Sequence, residues 1–407
     1  MTITGAILAT LCSSADVKIS VVTDRSLMPE VAQEEQTPTE GGRVETLKTD
    51  KELAVLRAGC TRFLNWHGVR SAAEMLQTIP PDVETDRYGS GGVVDELEAE
   101  VASLLGKPAA LFLPSGTMAQ QATLRVHADR TGRRAIVFHP ACHLDWHEGR
   151  GYQRLHGLIG VPAGELSTPL TLATLEGIHE LPAALLIELP QRDLGGTLPG
   201  WDDLVAQVGW ARERGAAVHM DGARLWEATP WYERPPAEIA ALFDTVYVSF
   251  YKGLGGIAGC CIAGPTDVVA EVSDWRTRHG GRLFAMWPYA ASALTVLRSR
   301  LPLMSKYYTH ALAIAEALAD LPGVEVIPAP PQAPMMHLQL SVTAAVLQSR
   351  ALDIATRDKI WTFPRPFATV SPMLQRIEFS VGDATMDFTV TEIRDLIGAL
   401  TSAPART

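Results

Sequence analysis

Cysteine is scarce in this 407-residue chain: there are five, Cys12, Cys60, Cys142, Cys260 and Cys261, an odd number with no CxxC spacing. That argues against a disulfide framework and a thiolate zinc site, and points to a reducing compartment, the cytoplasm. Basic residues are also short, 35 Lys and Arg against 46 Asp and Glu, for a formal charge of −11. General nucleic-acid binding needs a basic face, so nucleic acid is not an expected partner. No apolar run approaches the roughly 20 residues that cross a bilayer, so neither is a membrane. The opening MTITGAILAT lacks a basic n-region, and no signal peptide is expected. Repeats of solenoid length are absent as well. Large apolar side chains are few across residues 28–50, where Glu, Thr and Gln dominate, and residues 1–50 read as a flexible extension.

The remainder is ordinary globular material, 47% hydrophobic and 20% charged. Its length exceeds one typical core, so a large domain over residues 51–295 and a smaller one over 296–407 are expected. From about residue 85, short apolar runs recur: PAALFL (108–113), RAIVFH (134–139), AALLIEL (183–189), AAVHM (216–220), TVYVSF (245–250) and GCCIAG (259–264). Amphipathic stretches of helical period, such as VVDELEAEVASLLG (93–106) and WDDLVAQVGWARERG (201–215), alternate with several of them. Continuous apolar runs alternating with helices predict an α/β fold with a mainly parallel sheet, its site beyond the carboxyl ends of the strands. After about residue 290 a long helical stretch runs to about 321 and holds the expected hinge. VEVIPAP, MMHLQLSV and RIEFSVG then alternate more strictly and, with two more helices, suggest an α+β unit.

Three junctions carry candidate chemistry. In LFLPSGTMAQQATL (111–124) a strand ends and Ser115-Gly116-Thr117 opens a helix, either a simple cap or a phosphate site built from free N–H groups and the helix dipole. In AAVHMDGARLWEA (216–228) a strand delivers Asp221, which caps the next helix, holds a metal or faces a protonated ring nitrogen. In DTVYVSFYKGLGG (244–256) another delivers Lys252, a solvated loop charge or a Schiff-base amine with glycines leaving room for a cofactor beside it. A phosphate cradle, a ring-nitrogen carboxylate and a Schiff-base lysine are together the attachments that pyridoxal phosphate needs.

At this point the chain resembles a known family. HMDGARLWEA and SFYKGLGGIAG, and the spacing from Asp221 to Lys252, are similar to the motifs of the threonine aldolase/β-eliminating lyase family of fold-type-I pyridoxal-phosphate enzymes. LEAEVASLLGKPAALFLPSGTMAQQ resembles its phosphate-binding segment and CHLDWHE its ring-stacking histidine segment. The resemblance covers roughly residues 85–270. It implies a seven-stranded, mainly parallel sheet flanked by helices, plus a smaller C-terminal α+β domain. It implies pyridoxal 5′-phosphate as cofactor, with Lys252, Asp221 and His143 catalytic, His143 against the ring face, and Gly116 and Thr117 on the phosphate. Arg224 is implied at the phenolic oxygen or substrate carboxylate, and Arg376 as a second carboxylate-binding arginine, with Arg365 as competitor. The implied substrate is a small amino acid, and the implied assembly a homodimer or homotetramer, with Tyr88 of RYGSGG in a loop that faces the adjacent subunit.

Four departures surround the substrate rather than the cofactor. The family's Glu-Asn-Thr-His becomes Glu188, Leu189, Pro190 and Gln191, replacing a histidine near the β-hydroxyl by an amide that cannot act as a base. FLNWHG (63–68), with Asn65, Trp66 and His67, replaces a Ser-Asp-Thr stretch; Gln191 and Asn65 become the candidate substrate contacts. Phe284 stands where a neighbouring-subunit arginine is expected, with Arg282 close by, and Val381-Gly382 replaces Thr-His. His147, four residues after His143, is a surrogate base if the segment is helical. HLDWHE lacks an HExxH spacing, so no metal is expected, and Cys142 reads as packed and inert. The expected reaction is cleavage of a β-hydroxy-α-amino acid to glycine and an aldehyde. The alternatives are β-elimination, racemisation or aldehyde transfer, and a non-catalytic member that keeps the fold.

Overall fold

Apolar runs closed by Gly, Pro or a charge become strands, because a run too short for a stable helix can bury both faces only inside a sheet. The computed structural model describes residues 48–367 and 369–402. Its strands are β1 (Arg62–Phe63), β2 (Ala109–Leu113), β3 (Ala135–Phe138), β4 (Ile159–Pro162), β5 (Ala184–Glu188), β6 (Ala217–Gly222), β7 (Thr245–Ser249), β8 (Cys260–Gly264), β9 (Val324–Ile327), β10 (Met335–Leu340), β11 (Ile360–Trp361) and β12 (Gln375–Ser380). The extension expected over residues 1–50 lies outside the described residues except for its last three, as does Cys12.

The central sheet has seven strands in the order β2-β8-β7-β6-β5-β3-β4. β8 runs antiparallel to both of its neighbours, and the pairings from β7 to β4 are parallel. Every residue of β5, β7 and β8 is buried, as a sheet covered on both faces requires. Helix Gly92–Leu105 turns Val93, Val94, Leu97, Val101 and Leu105 inward at helical spacing and ends at Gly106, whose φ of 60° is the left-handed stop. Each fully buried leucine contributes roughly 1.5–3 kcal/mol.

The long helical stretch expected to run to about 321 is two helices, Trp287–Arg300 and Met304–Leu318, joined by a 3₁₀ turn over Leu301–Leu303. Pro302 lacks an N–H and crowds the preceding turn, so the α-helix cannot pass through it. The C-terminal sheet is antiparallel, in the order β12-β10-β9. Residues placed in the large domain by the sequence reading pair elsewhere. β1 lies parallel to β11, and Trp66 bridges Val381, so the backbone from residue 61 to 68 joins the C-terminal elements.

Candidate functional site at the carboxyl edge of the central sheet

Parallel strands bring their last residues to one edge, and register decides which side chains meet there. Glu188 of β5 is the ladder partner of Asp221 of β6, which is in turn the partner of Tyr247 of β7. Asp221 is 4% exposed and accepts a 3.0 Å hydrogen bond from the Ala223 N–H. The helix that follows starts only at Leu225, so Asp221 does not cap it. Burial, and then the facing Asp221 carboxylate, push the Glu188 carboxyl above its ordinary range. Glu188 accepts from the backbone N–H of His143. Cys142 is fully buried, and burial together with Glu188 and Asp221 raises its thiol, which therefore stays neutral and packed as expected.

His143 opens the short helix His143–Trp146, with Nδ1 3.1 Å from Glu148 Oε1. The next turn brings the His147 ring to 4.9 Å from the His143 ring, and His147 Nε2 is 3.1 Å from Asp193 Oδ2. Two imidazoles thus stand side by side, each backed by a carboxylate.

On β2, Leu113 ends the strand and helix Gly116–Thr131 begins after Ser115, which makes no side-chain cap and leaves first-turn N–H groups open to an anion. A Cβ at Gly116 would lie 2.2 Å from the Tyr247 hydroxyl, so glycine is required by a buried tyrosine of β7.

Lys252 follows β7. Burial lowers its pKa, Asp221 is the strongest charge opposing that shift, and Arg224, Glu188 and Arg192 also act on it. The two charged strand ends therefore share one electrostatic site. The glycines after Lys252 serve another purpose than the expected room for a cofactor. A Cβ at Gly253 would fall 1.7 Å from Glu227 Oε1, and one at Gly255, where φ is +66°, would strike His67, Arg300 and Arg70. They make space for the chain's own side chains.

Three arginines ring the site, and sequence reasoning missed one of them. Arg224, 5% exposed, pairs with Glu227 at 3.5 Å and Glu378 at 3.2 Å, and its guanidinium lies 5.1 Å from the Trp66 ring centre. Arg192 reaches the other Glu378 oxygen at 2.8 Å. Arg376 shares a face of β12 with Glu378, packs over Phe367, and has a buried Nε without a partner among the described residues. Its competitor Arg365 pairs with Asp50 instead. Arg192, Glu227 and Glu378 were given no role, although Glu227 lies within HMDGARLWEA and the i, i+2 spacing of Arg376 and Glu378 places them on one strand face. Two expected substrate contacts are engaged elsewhere. Asn65 Oδ1 accepts from the Ser380 N–H at 2.7 Å, and Gln191 Nε2 donates to the Ala141 carbonyl at 3.0 Å.

The beta-eliminating lyase family profile matches residues 71–341. The chain belongs to the β-eliminating lyase/threonine aldolase family of fold-type-I pyridoxal-phosphate enzymes. It is 36% identical to a candidate L-allo-threonine aldolase of Listeria monocytogenes EGD-E, with a TM-score of 0.80 over 86% of this chain and 98% of that one. A candidate aromatic amino acid beta-eliminating lyase/threonine aldolase of Exiguobacterium sp. 255-15 is also 36% identical, with a TM-score of 0.80 over 85% and 98%. A probable low-specificity L-threonine aldolase of Schizosaccharomyces pombe is 28% identical over 76% of this chain and 85% of its own.

The residues present fit the family's cofactor. An uncapped helix start suits a phosphate, a buried carboxylate a ring nitrogen, and a half-buried amine of lowered basicity an aldehyde carbon. The unpartnered Nε atoms of Arg224 and Arg376 suit a further anion. Among the described residues, no helix is long and apolar enough to cross a membrane.

Proposed function

We propose that this family member binds pyridoxal 5′-phosphate and cleaves the Cα–Cβ bond of a β-hydroxy-α-amino acid, giving glycine and an aldehyde. The observation that carries the reading is the His147–Asp193 pair beside His143. It supplies an imidazole in the neighbourhood that lost the histidine now replaced by Gln191. When bound, the cofactor supplies a protonated ring that takes up the electron pair released at Cα. Asp221 would hold that ring proton, and Lys252, kept less basic by burial, would supply the amine for the cofactor's aldehyde carbon. Gly116 and Thr117 would hold the phosphate, and His143 would stand beside the ring. Arg376, with Arg224, orients the substrate carboxylate, and so selects which bond to Cα stands perpendicular to the ring. His147, oriented by Asp193, takes the β-hydroxyl proton.

A second reading is β-elimination, favoured because Gln191, which donates to the Ala141 carbonyl, puts an amide and not an imidazole at that position. A structural, non-catalytic role gives no reason for Lys252 and Asp221. Incubation of the holoprotein with threonine and phenylserine tests the proposal. Glycine and an aldehyde support it, whereas a keto acid and ammonia transfer the site to elimination. We further propose a cytoplasmic homodimer or homotetramer. Tyr88 and Phe284, 46% and 60% exposed, stack edge to face in one loop pair that suits a subunit boundary.

A further inference from the structure

Three successive carbonyls of the Lys252 loop are held by three cationic or imidazole side chains from distant parts of the chain. His67 Nε2 lies 2.8 Å from the Gly253 oxygen, Arg300 Nη1 donates to the Leu254 oxygen at 2.6 Å, and Arg70 donates to the Gly255 oxygen. One residue, Asp383, meets two of these donors, Arg300 through its carboxylate and His67 through its backbone N–H. Asp383 Oδ2 accepts from Arg300 Nε at 2.8 Å, and its Oδ1 accepts from Tyr307. The Asp383 backbone N–H donates to His67 Nδ1 at 3.3 Å, so a neutral imidazole with its proton on Nε2 satisfies both ends.

The fit is close on every side. Gly255 and Gly382 both stand where a Cβ would strike His67, at 2.7 Å and 2.9 Å. The His67 side chain is 6% exposed, and that of Arg300 is 13% exposed. Carbonyls that project from a turn away from the sheet have no ladder partner, and fixed donors replace water there.

We propose that Asp383, acting through His67 and Arg300, is a positioning residue that holds the Lys252 loop at the end of β7. The C-terminal segment thereby sets where the functional amine stands. The inference rests on the reading of Lys252 as that amine. Asp383 touches no reacting atom. Its contribution is to keep Gly253, Leu254 and Gly255 from turning, and so to fix the direction from which Lys252 enters the site. The residues that replace the family's usual stretches, FLNWHG and Val381-Gly382, lie in and beside this clamp.

Hydrogen–deuterium exchange on the full chain without cofactor tests it. The reporting amides are those of Gly255 and Gly256, which donate to the Lys252 and Phe250 carbonyls at 2.7 and 2.6 Å. Asp383→Asn and His67→Phe should each accelerate their exchange about tenfold or more and leave the β6 and β7 amides unchanged. His67→Gln, whose amide offers both a donor and an acceptor, should keep exchange near the native rate. A pyridoxal phosphate titration, followed by visible absorption, should show affinity weakened in the first two variants and retained in the third. Native loop exchange in both Asp383→Asn and His67→Phe overturns the proposal. If Asp383→Asn loosens the whole sheet, the His67 pair decides, and equal loop exchange in His67→Gln and His67→Phe overturns it. Failure of the native protein to bind pyridoxal phosphate overturns the functional reading of Lys252 and leaves the exchange result standing.

Discussion

The edge of the central sheet and the face of β12 hold their charges by opposite means. At the central edge, Glu188 and Asp221 sit buried side by side on neighbouring strands, and the half-buried Lys252 follows one strand further on; desolvation is the first influence on Glu188 and on Lys252. On β12, Arg376 and Glu378 are half-buried, and Glu378 is defined by its arginine partners, Arg224 and Arg192, which come from the other side of the site. Pairing within the central sheet delivers the first set, whereas the second exists only once the C-terminal sheet has docked. Under the proposed function labour divides accordingly: the sheet edge performs the chemistry, and β12 orients what enters.

The sharpest way to break that comparison is Lys252→Ala, which should abolish the visible band of the holoprotein and lower turnover by about 10³-fold or more. His147→Phe comes next. Cofactor absorbance should persist while turnover of phenylserine falls by roughly 10²-fold, the loss expected for a missing general base. An unchanged rate would remove the imidazole from the chemistry. Glu378→Gln should act mainly through stability and substrate affinity. It takes one carboxylate from the buried Arg224, costing about 1–3 kcal/mol in denaturant unfolding, and changes KM more than kcat. A kcat effect as large as that of His147→Phe would erase the distinction between the two regions.

The smallest effect concerns acid. His219 of β6 and His127 beneath it share the Thr245 hydroxyl, and burial depresses them to about 3 and about 4. The unfolded chain binds protons from about pH 6.5, where the folded chain refuses them, so stability falls as pH drops below about 6.5 and goes on falling to about 4 for His127 and about 3 for His219. In chemical denaturation at stepped pH, His219→Gln should flatten that slope. An equally steep slope in the variant would place the acid sensitivity elsewhere, β12 included.

Much of this was legible in the residues. Six of the seven central strands announced themselves as continuous apolar runs. β4 did not, because it is a four-residue edge strand, Ile159–Pro162, whose Gly160 and Pro162 read as breakers and which buries no residue. His147 was within reach as the i+4 neighbour of His143, but its partner Asp193 was not, since the two lie 46 residues apart and meet only through the fold. The bonds that Asn65 and Gln191 make were hidden for a related reason. Both looked free as polar residues near motifs, yet backbone groups elsewhere had first use of their amides. The glycines after Lys252 were assigned to a ligand when Glu227, His67, Arg70 and Arg300 already claimed that space.

By itself the sequence determined the α/β rhythm, the strand that ends in Asp221, the lysine that follows the next one, and the helix start at Gly116, because each depends on neighbours a few residues away. Tertiary structure alone decided which arginine faces the site, what Glu378 binds, and how Asp383 reaches the Lys252 loop. Those contacts join segments hundreds of residues apart, and their energy is realised only when burial removes the competing water.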